Sequence, residues 1–99
     1  MINPVYTAAA GRYECGMKYR RCGWSGIMLP EISLGLWQNF GDTSPLARSR
    51  EMLLHAFDKG VCHFDLANNY GPSYGSAEAT LGKILNSDPR PYRDALFIT

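Results

Sequence analysis

The sequence predicts an α/β fold built on a parallel sheet. Three observations carry that expectation. Short, mostly apolar strand-like stretches at residues 32–36, 61–66 and 95–99 alternate with two amphipathic helical stretches, and such alternation goes with parallel pairing through helical crossovers. The strand-like stretches have the apolar character of strands buried on both faces. Helix punctuation stands at the matching places, with Ser44-Pro45 before the first helical stretch and Gly60 after it.

Each element follows from local chemistry. Residues 1–16 show no clear period and are expected to form an extended leader draped on something else. Residues 18–29 read as a hairpin: Lys18 to Arg21 on the first strand, a turn at Gly23-Trp24-Ser25-Gly26, and a return through Ile27-Met28-Leu29 that Pro30 stops. Residues 32–36 form the next strand. Ser44 is the expected N-cap of the first helix, with Pro45 at its first position. Leu46, Leu53, Ala56 and Phe57 recur there at helical spacing, and Gly60 closes it.

In residues 61–66, period two places Cys62, Phe64 and Leu66 on one side and Val61, His63 and Asp65 on the other. A carboxylate at the end of such a strand needs a partner. A polar loop over residues 68–74 leads into a helix from about Ser76, with Glu78 in its first turn and Ala77, Leu81, Ile84 and Leu85 as its buried stripe. Asp88-Pro89-Arg90-Pro91 breaks that helix, and the last strand begins at Ala95. Crossovers of this kind are right-handed. Three parallel strands with two helices leave sheet surface uncovered, so the chain is expected to be the front of a larger α/β protein.

Composition narrows the function classes. The 99 residues carry a net charge of +1, with 45% hydrophobic and 19% charged residues. That excludes a disordered tail or a collagen-like repeat and offers no field for nucleic acid or an anionic membrane. Arg12, Lys18, Arg20 and Arg21 interleave with Tyr13, Tyr19 and Trp24, which reads as a solvated hairpin face. Cys15, Cys22 and Cys62 form no C-x-x-C pair, so free thiols in a reducing cytoplasm are expected and neither a zinc ribbon nor another metal site follows. No secretory signal and no membrane-length apolar run stands out.

The chemistry is concentrated at the end of the second parallel strand. Asp65 sits at its carboxyl end and Tyr70 follows in the loop beyond, the face on which parallel α/β sheets bind ligands. A tyrosine, with an ordinary pKa near 10, serves as a general acid only if a nearby cation lowers that value, and a carboxylate can hold the cation. Beside them, His63 reads as a hydrogen-bonded core histidine, His55 as solvent-facing and Cys62 as an inert small hydrophobe turned towards the helices.

Phe64-Asp65-Leu66-Ala67-Asn68-Asn69-Tyr70-Gly71, followed by Gly75-Ser76-Ala77-Glu78, resembles the first signature of the aldo-keto reductases. Residues 19–30 resemble the hairpin that plugs the bottom of their barrel. Ser33-Leu34-Gly35-Leu36-Trp37-Gln38-Asn39-Phe40-Gly41 resembles their first barrel strand and cofactor loop, and Leu96-Phe97-Ile98-Thr99 their third strand. Leu36-Trp37 and the Asn-Asn-Tyr-Gly loop look most like the branch of glyceraldehyde 3-phosphate and methylglyoxal reductases, with potassium-channel β subunits as near relatives.

The resemblance implies a (β/α)8 barrel, NADPH as cofactor and a small carbonyl substrate reduced to an alcohol. Tyr70 would donate the proton. Asp65 would pair with a lysine that lowers the Tyr70 pKa. Trp37 would line the nicotinamide and substrate pocket, which Asp65 and Tyr70 also approach. A homo-oligomer is allowed for in the full-length form. The family's lysine falls just past Thr99, and its catalytic histidine lies further on. A complete barrel runs to about 250 residues or more. Residues 17–99 are therefore expected to be the N-terminal portion of such a barrel, inactive alone. Two other functions remain open: a channel-β-like regulatory subunit that binds NADPH, and a small interaction domain using the Trp24 hairpin.

Overall fold

A computed structural model describes residues 6–87 and 89–99. The expectations for residues 1–5 and for Asp88 lie outside the described residues. After an antiparallel hairpin, the chain runs β-α-β-α-β, in the order the sequence predicts. The hairpin pairs β1 (Tyr19–Arg21) with β2 (Met28–Pro30). A three-stranded parallel sheet then assembles β3 (Leu34–Gly35), β4 (His63–Asp65) and β5 (Phe97–Ile98), with β4 in the centre. Helix α1 (Leu46–Asp58) joins β3 to β4 and α2 (Ser76–Leu85) leads on towards β5. A 3-10 turn at Arg90–Ala95, which the sequence reading did not anticipate, precedes β5.

Strand parity decides the two faces of the sheet. The register aligns Leu34 with Phe64 and Phe64 with Ile98. The helices cover the face that carries Phe64 and Leu36, and there Leu53, Phe57, Ala77, Leu81 and Ile84 close the core. The opposite parity carries Ser33, Gly35, His63, Asp65, Phe97 and Thr99. The expectation of strands buried on both faces is therefore corrected: His63 is half-buried and Asp65 exposed. Both helices pack on a single face, so the other has no cover among the described residues.

Helix α1 departs from its sequence reading at the start. Ser44 is not the cap. Pro45 holds the N-cap position with φ −58° and ψ 130°, and its carbonyl accepts from the Arg48 and Ser49 amides at 3.1 Å each. The extended ψ keeps Pro45 outside the helix, and no side chain caps it. Leu46 is exposed and Ser49 is fully buried instead. The Ser49 hydroxyl donates to the Asn39 carbonyl at 3.0 Å, which satisfies a polar group the hydrophobic period could not place. In α2, Thr80 joins the buried face while Leu85 is half-buried.

Residues 6–16 are tied to α1 and to the turn before β5. The Tyr6 hydroxyl donates to Asp58 Oδ1 at 2.6 Å, the Ala9 amide donates to the same oxygen at 2.9 Å, and the Ala8 amide donates to the Tyr92 hydroxyl at 3.0 Å. Burial and the Asp58 carboxylate push the Tyr6 hydroxyl well above the usual tyrosine range. The Arg12 guanidinium stacks 4.7 Å from the Tyr13 ring centre and 5.1 Å from that of Phe57.

The hairpin anchors at the amino ends of the parallel strands. Tyr19 Oη donates to the Gly60 carbonyl at 2.7 Å, and Tyr19 and Met28 line one cavity with Cys62 and Phe97. Burial raises the Cys62 thiol, in keeping with an inert apolar role. Gly60 has φ +92°, and a Cβ there would stand 2.6 Å from Tyr19 Oη and 2.7 Å from the Arg12 carbonyl. Gly60→Ala combines left-handed strain with that collision. It is expected to destabilise the protein by more than about 1 kcal/mol, read as a lowered denaturant midpoint at constant slope.

Candidate active site

The site forms where β3 and β4 end. The Leu36 amide donates to the Asp65 carbonyl at 3.0 Å, which carries the pairing one residue past β3 and brings Trp37 beside the loop that follows β4. That loop is held from both ends. The Tyr70 amide donates to the Ala67 carbonyl, and the Ala77 amide at the start of α2 donates to the Tyr70 carbonyl, each at 3.1 Å. The Gln38 amide donates to the Gly71 carbonyl at 3.0 Å and joins the two loops.

These contacts set the Trp37 and Tyr70 rings edge to face, 4.8 Å between centroids and 68° between planes. Trp37 is 49% exposed. With Gln38, Thr43, Asn69, Gly71, Pro72 and Tyr74 it lines an open cleft of about 550 Å³. A second latch closes the loops from below: Asp42 Oδ1 accepts from the Ser73 amide at 2.7 Å, and the Asp42 amide donates to Ser76 Oγ at 3.0 Å. Gly41 lies so close to Pro72 that a Cβ would collide with the Pro72 carbonyl.

Asp65 projects from the open face of the sheet, and its partner is Thr99, whose hydroxyl donates to Asp65 Oδ1 at 3.1 Å. His63, on the same face, has both ring nitrogens engaged: Nδ1 lies 2.6 Å from Ser33 Oγ and Nε2 lies 2.9 Å from Thr99 Oγ1. The structure thus gathers Trp37, Asp65 and Tyr70 at the carboxyl ends of two adjacent strands. It adds three residues the sequence did not single out. Ser33 and Thr99 carry the hydroxyls around His63. Gln38 adopts φ +70°, an uncommon left-handed conformation for a non-glycine residue, at the turn that presents Trp37. For Ser33 and Thr99, two-residue spacing from Gly35 and Phe97 gave the face of the sheet but not the contact with His63; for Gln38 there was no signal.

A flat heterocycle fits this arrangement. Trp37 is half exposed with its ring against that of Tyr70, and the cleft it lines is open, while Asp65 and Tyr70 are not among the residues that line that cleft. The described residues offer a planar ring, such as that of a nicotinamide cofactor, one aromatic wall in Trp37. They include no cluster of basic side chains on that cleft that would hold its phosphates.

Asp65 and Tyr70 thus lie at the carboxyl-end side of a parallel α/β unit, the side on which folds of this class place their ligand and catalytic sites. The chain belongs to the aldo/keto reductase family, whose pattern matches residues 31–99. It is 55% identical over 95 residues to L-glyceraldehyde 3-phosphate reductase of Escherichia coli K12, covering 96% of this chain and 27% of that protein. It is 32% identical over 75 residues to 6-dehydroglucose reductase of Novosphingobium aromaticivorans, covering 72% of this chain and 25% of that protein. The chain therefore spans about a quarter of the length of these relatives.

Proposed function

We propose that the protein is an NADPH-dependent reductase of small aldehydes and ketones, of the glyceraldehyde 3-phosphate or methylglyoxal kind, with Tyr70 as its proton donor. The observation that carries this reading is the pairing of Trp37 with Tyr70 beside the strand end that bears Asp65. The three parallel strands are the first three of a (β/α)8 barrel. The open face bearing His63 and Asp65 then becomes barrel interior. The 55% identity to a glyceraldehyde 3-phosphate reductase supports the substrate class.

A bound nicotinamide supplies a hydride to the substrate's carbonyl carbon. The chain's own residues do the rest. Trp37 offers its exposed face to a planar ring and narrows one side of the cleft. The Tyr70 hydroxyl gives its proton to the carbonyl oxygen as negative charge develops there. Asp65 holds a cation beside Tyr70, and that cation makes the phenol a stronger acid. Free Cys15, Cys22 and Cys62 suit a reducing, cytoplasmic setting. Among the described residues, no helix is long and apolar enough to cross a membrane.

The test is turnover by the full-length protein. NADPH oxidation in the presence of glyceraldehyde 3-phosphate or methylglyoxal supports the reading. Tight NADPH binding without turnover of any small aldehyde supports a channel-β-like regulatory subunit instead. Trp37→Ala is expected to weaken nicotinamide cofactor binding by about 2- to 10-fold, the worth of one aromatic contact. Fluorescence titration measures it, and unchanged affinity removes Trp37 from the pocket.

A further inference from the structure

Ser33, His63, Thr99 and Asp65 form one hydrogen-bonded chain across all three parallel strands. Ser33 lies just before β3, His63 and Asp65 on β4, and Thr99 just after β5. With the His63 imidazole neutral, the protons have a single consistent direction. The Asp65 carboxylate only accepts, so the one Thr99 hydroxyl proton goes to it. Thr99 Oγ1 must then accept from His63, which places a proton on Nε2. In the neutral ring Nδ1 is left as an acceptor, and the Ser33 hydroxyl donates to it. Every donor points towards Asp65, and a carboxylate at the end of such a chain polarises each bond in it.

The chain also has rigid supports. The Thr99 amide donates to the Phe64 carbonyl at 3.1 Å, and the Leu66 amide donates to the Thr99 carbonyl at 2.7 Å. The backbone of Thr99 is thereby pinned on both sides of Asp65. The Asp65 side chain turns about two torsions, so several orientations of its carboxylate are open to it. The Thr99 hydroxyl selects one of them. His63 matters because it occupies the acceptor side of that hydroxyl and leaves the proton free to point in one direction.

We propose that His63 is a positioning residue for Asp65, acting through the hydroxyl of Thr99. The proposal rests on the reading that Asp65 and Tyr70 serve carbonyl reduction. Its consequence is kinetic: a freely rotating Asp65 holds its cation less well beside Tyr70, so proton donation slows while cofactor binding stays as it was.

The experiment uses the full-length protein with NADPH and methylglyoxal. Thr99→Val removes the hydroxyl at nearly constant shape, and His63→Leu removes the ring donor. Each is expected to lower kcat by about 10- to 100-fold, the size of effect known for hydrogen-bond partners that orient metal ligands. The KM for NADPH and the melting temperature of Thr99→Val should stay at their wild-type values. Thr99→Ser keeps the hydroxyl and should restore the rate. His63→Gln can place an amide N–H near the former Nε2 and should recover most of it.

Wild-type kcat in Thr99→Val overturns the proposal, as does a Thr99→Ser variant no better than Thr99→Val. Asp65→Asn and Tyr70→Phe separate the two levels of the argument. If both are inactive while Thr99→Val is fully active, only the positioning role falls. If Asp65→Asn retains full activity, the reading of Asp65 falls and the positioning role with it.

Discussion

Tyr70→Phe is expected to lower kcat for carbonyl reduction by about 10²- to 10⁴-fold, the range for removing a positioned general acid. The substitution deletes one hydroxyl and leaves the ring. The edge-to-face contact with Trp37 at 4.8 Å is made by the ring, and both loop hydrogen bonds are made by the Tyr70 backbone. The architecture of the cleft should therefore survive. Cofactor affinity should stay within about 3-fold of wild type, since the lost group acts mainly as charge develops on the substrate oxygen. Steady-state kinetics of the full-length protein measure both quantities. A kcat within a few fold of wild type would show that another acid delivers the proton, and Tyr70 would then be a wall of the pocket.

Phe64→Ala should produce the largest loss of stability, about 3–5 kcal/mol. Phe64 is 0% exposed and sits on the central strand of the sheet. It lies in the cluster formed with Leu36, which follows β3, and with Leu53, Phe57 and Ile84, which the two helices supply. The side chain is therefore held by the sheet on one side and by two helices on the other. Such a site collapses poorly around a void, so the cavity cost adds to the lost transfer free energy. Denaturant unfolding measures it. A change below about 1 kcal/mol would mean that the helices close over the gap. The same substitution disturbs the residue next to Asp65, so a loss of activity is expected even in the fraction that remains folded.

The parallel order was legible because the segments differ in period and length. Phe64 and Asp65 took opposite faces of the sheet on parity alone, and the structure places them so. Gly60 closes α1 with a positive φ, as its position after the apolar stripe suggested. The start of α1 was less legible. Ser44-Pro45 offers a good cap and a good first residue at once, and only the backbone decided that Pro45 remains outside the helix. Ser49 was unreadable for a related reason. A hydroxyl on the buried face of a helix is tolerated only when an acceptor meets it, and that acceptor, the Asn39 carbonyl, belongs to a loop of another element.

The candidate site divides along the same line. Asp65, Tyr70 and Trp37 could be picked out because each lies at a strand end or in the loop just beyond it, and their spacing carries a family resemblance. The hydroxyls of Ser33 and Thr99 could not. They stand 30 and 36 residues from His63 in the chain, and no local period links them. The sequence by itself determined the order of elements, the polarity of each strand face and the end of the sheet where chemistry collects. These depend on residue type at a spacing of two to four. The tertiary structure decided which side chains meet: the Asp65–Thr99–His63–Ser33 chain, the Tyr6–Asp58 tie and the Trp37–Tyr70 contact. Such pairs depend on register between strands and packing between elements, and those are set only when the whole sheet closes against its helices.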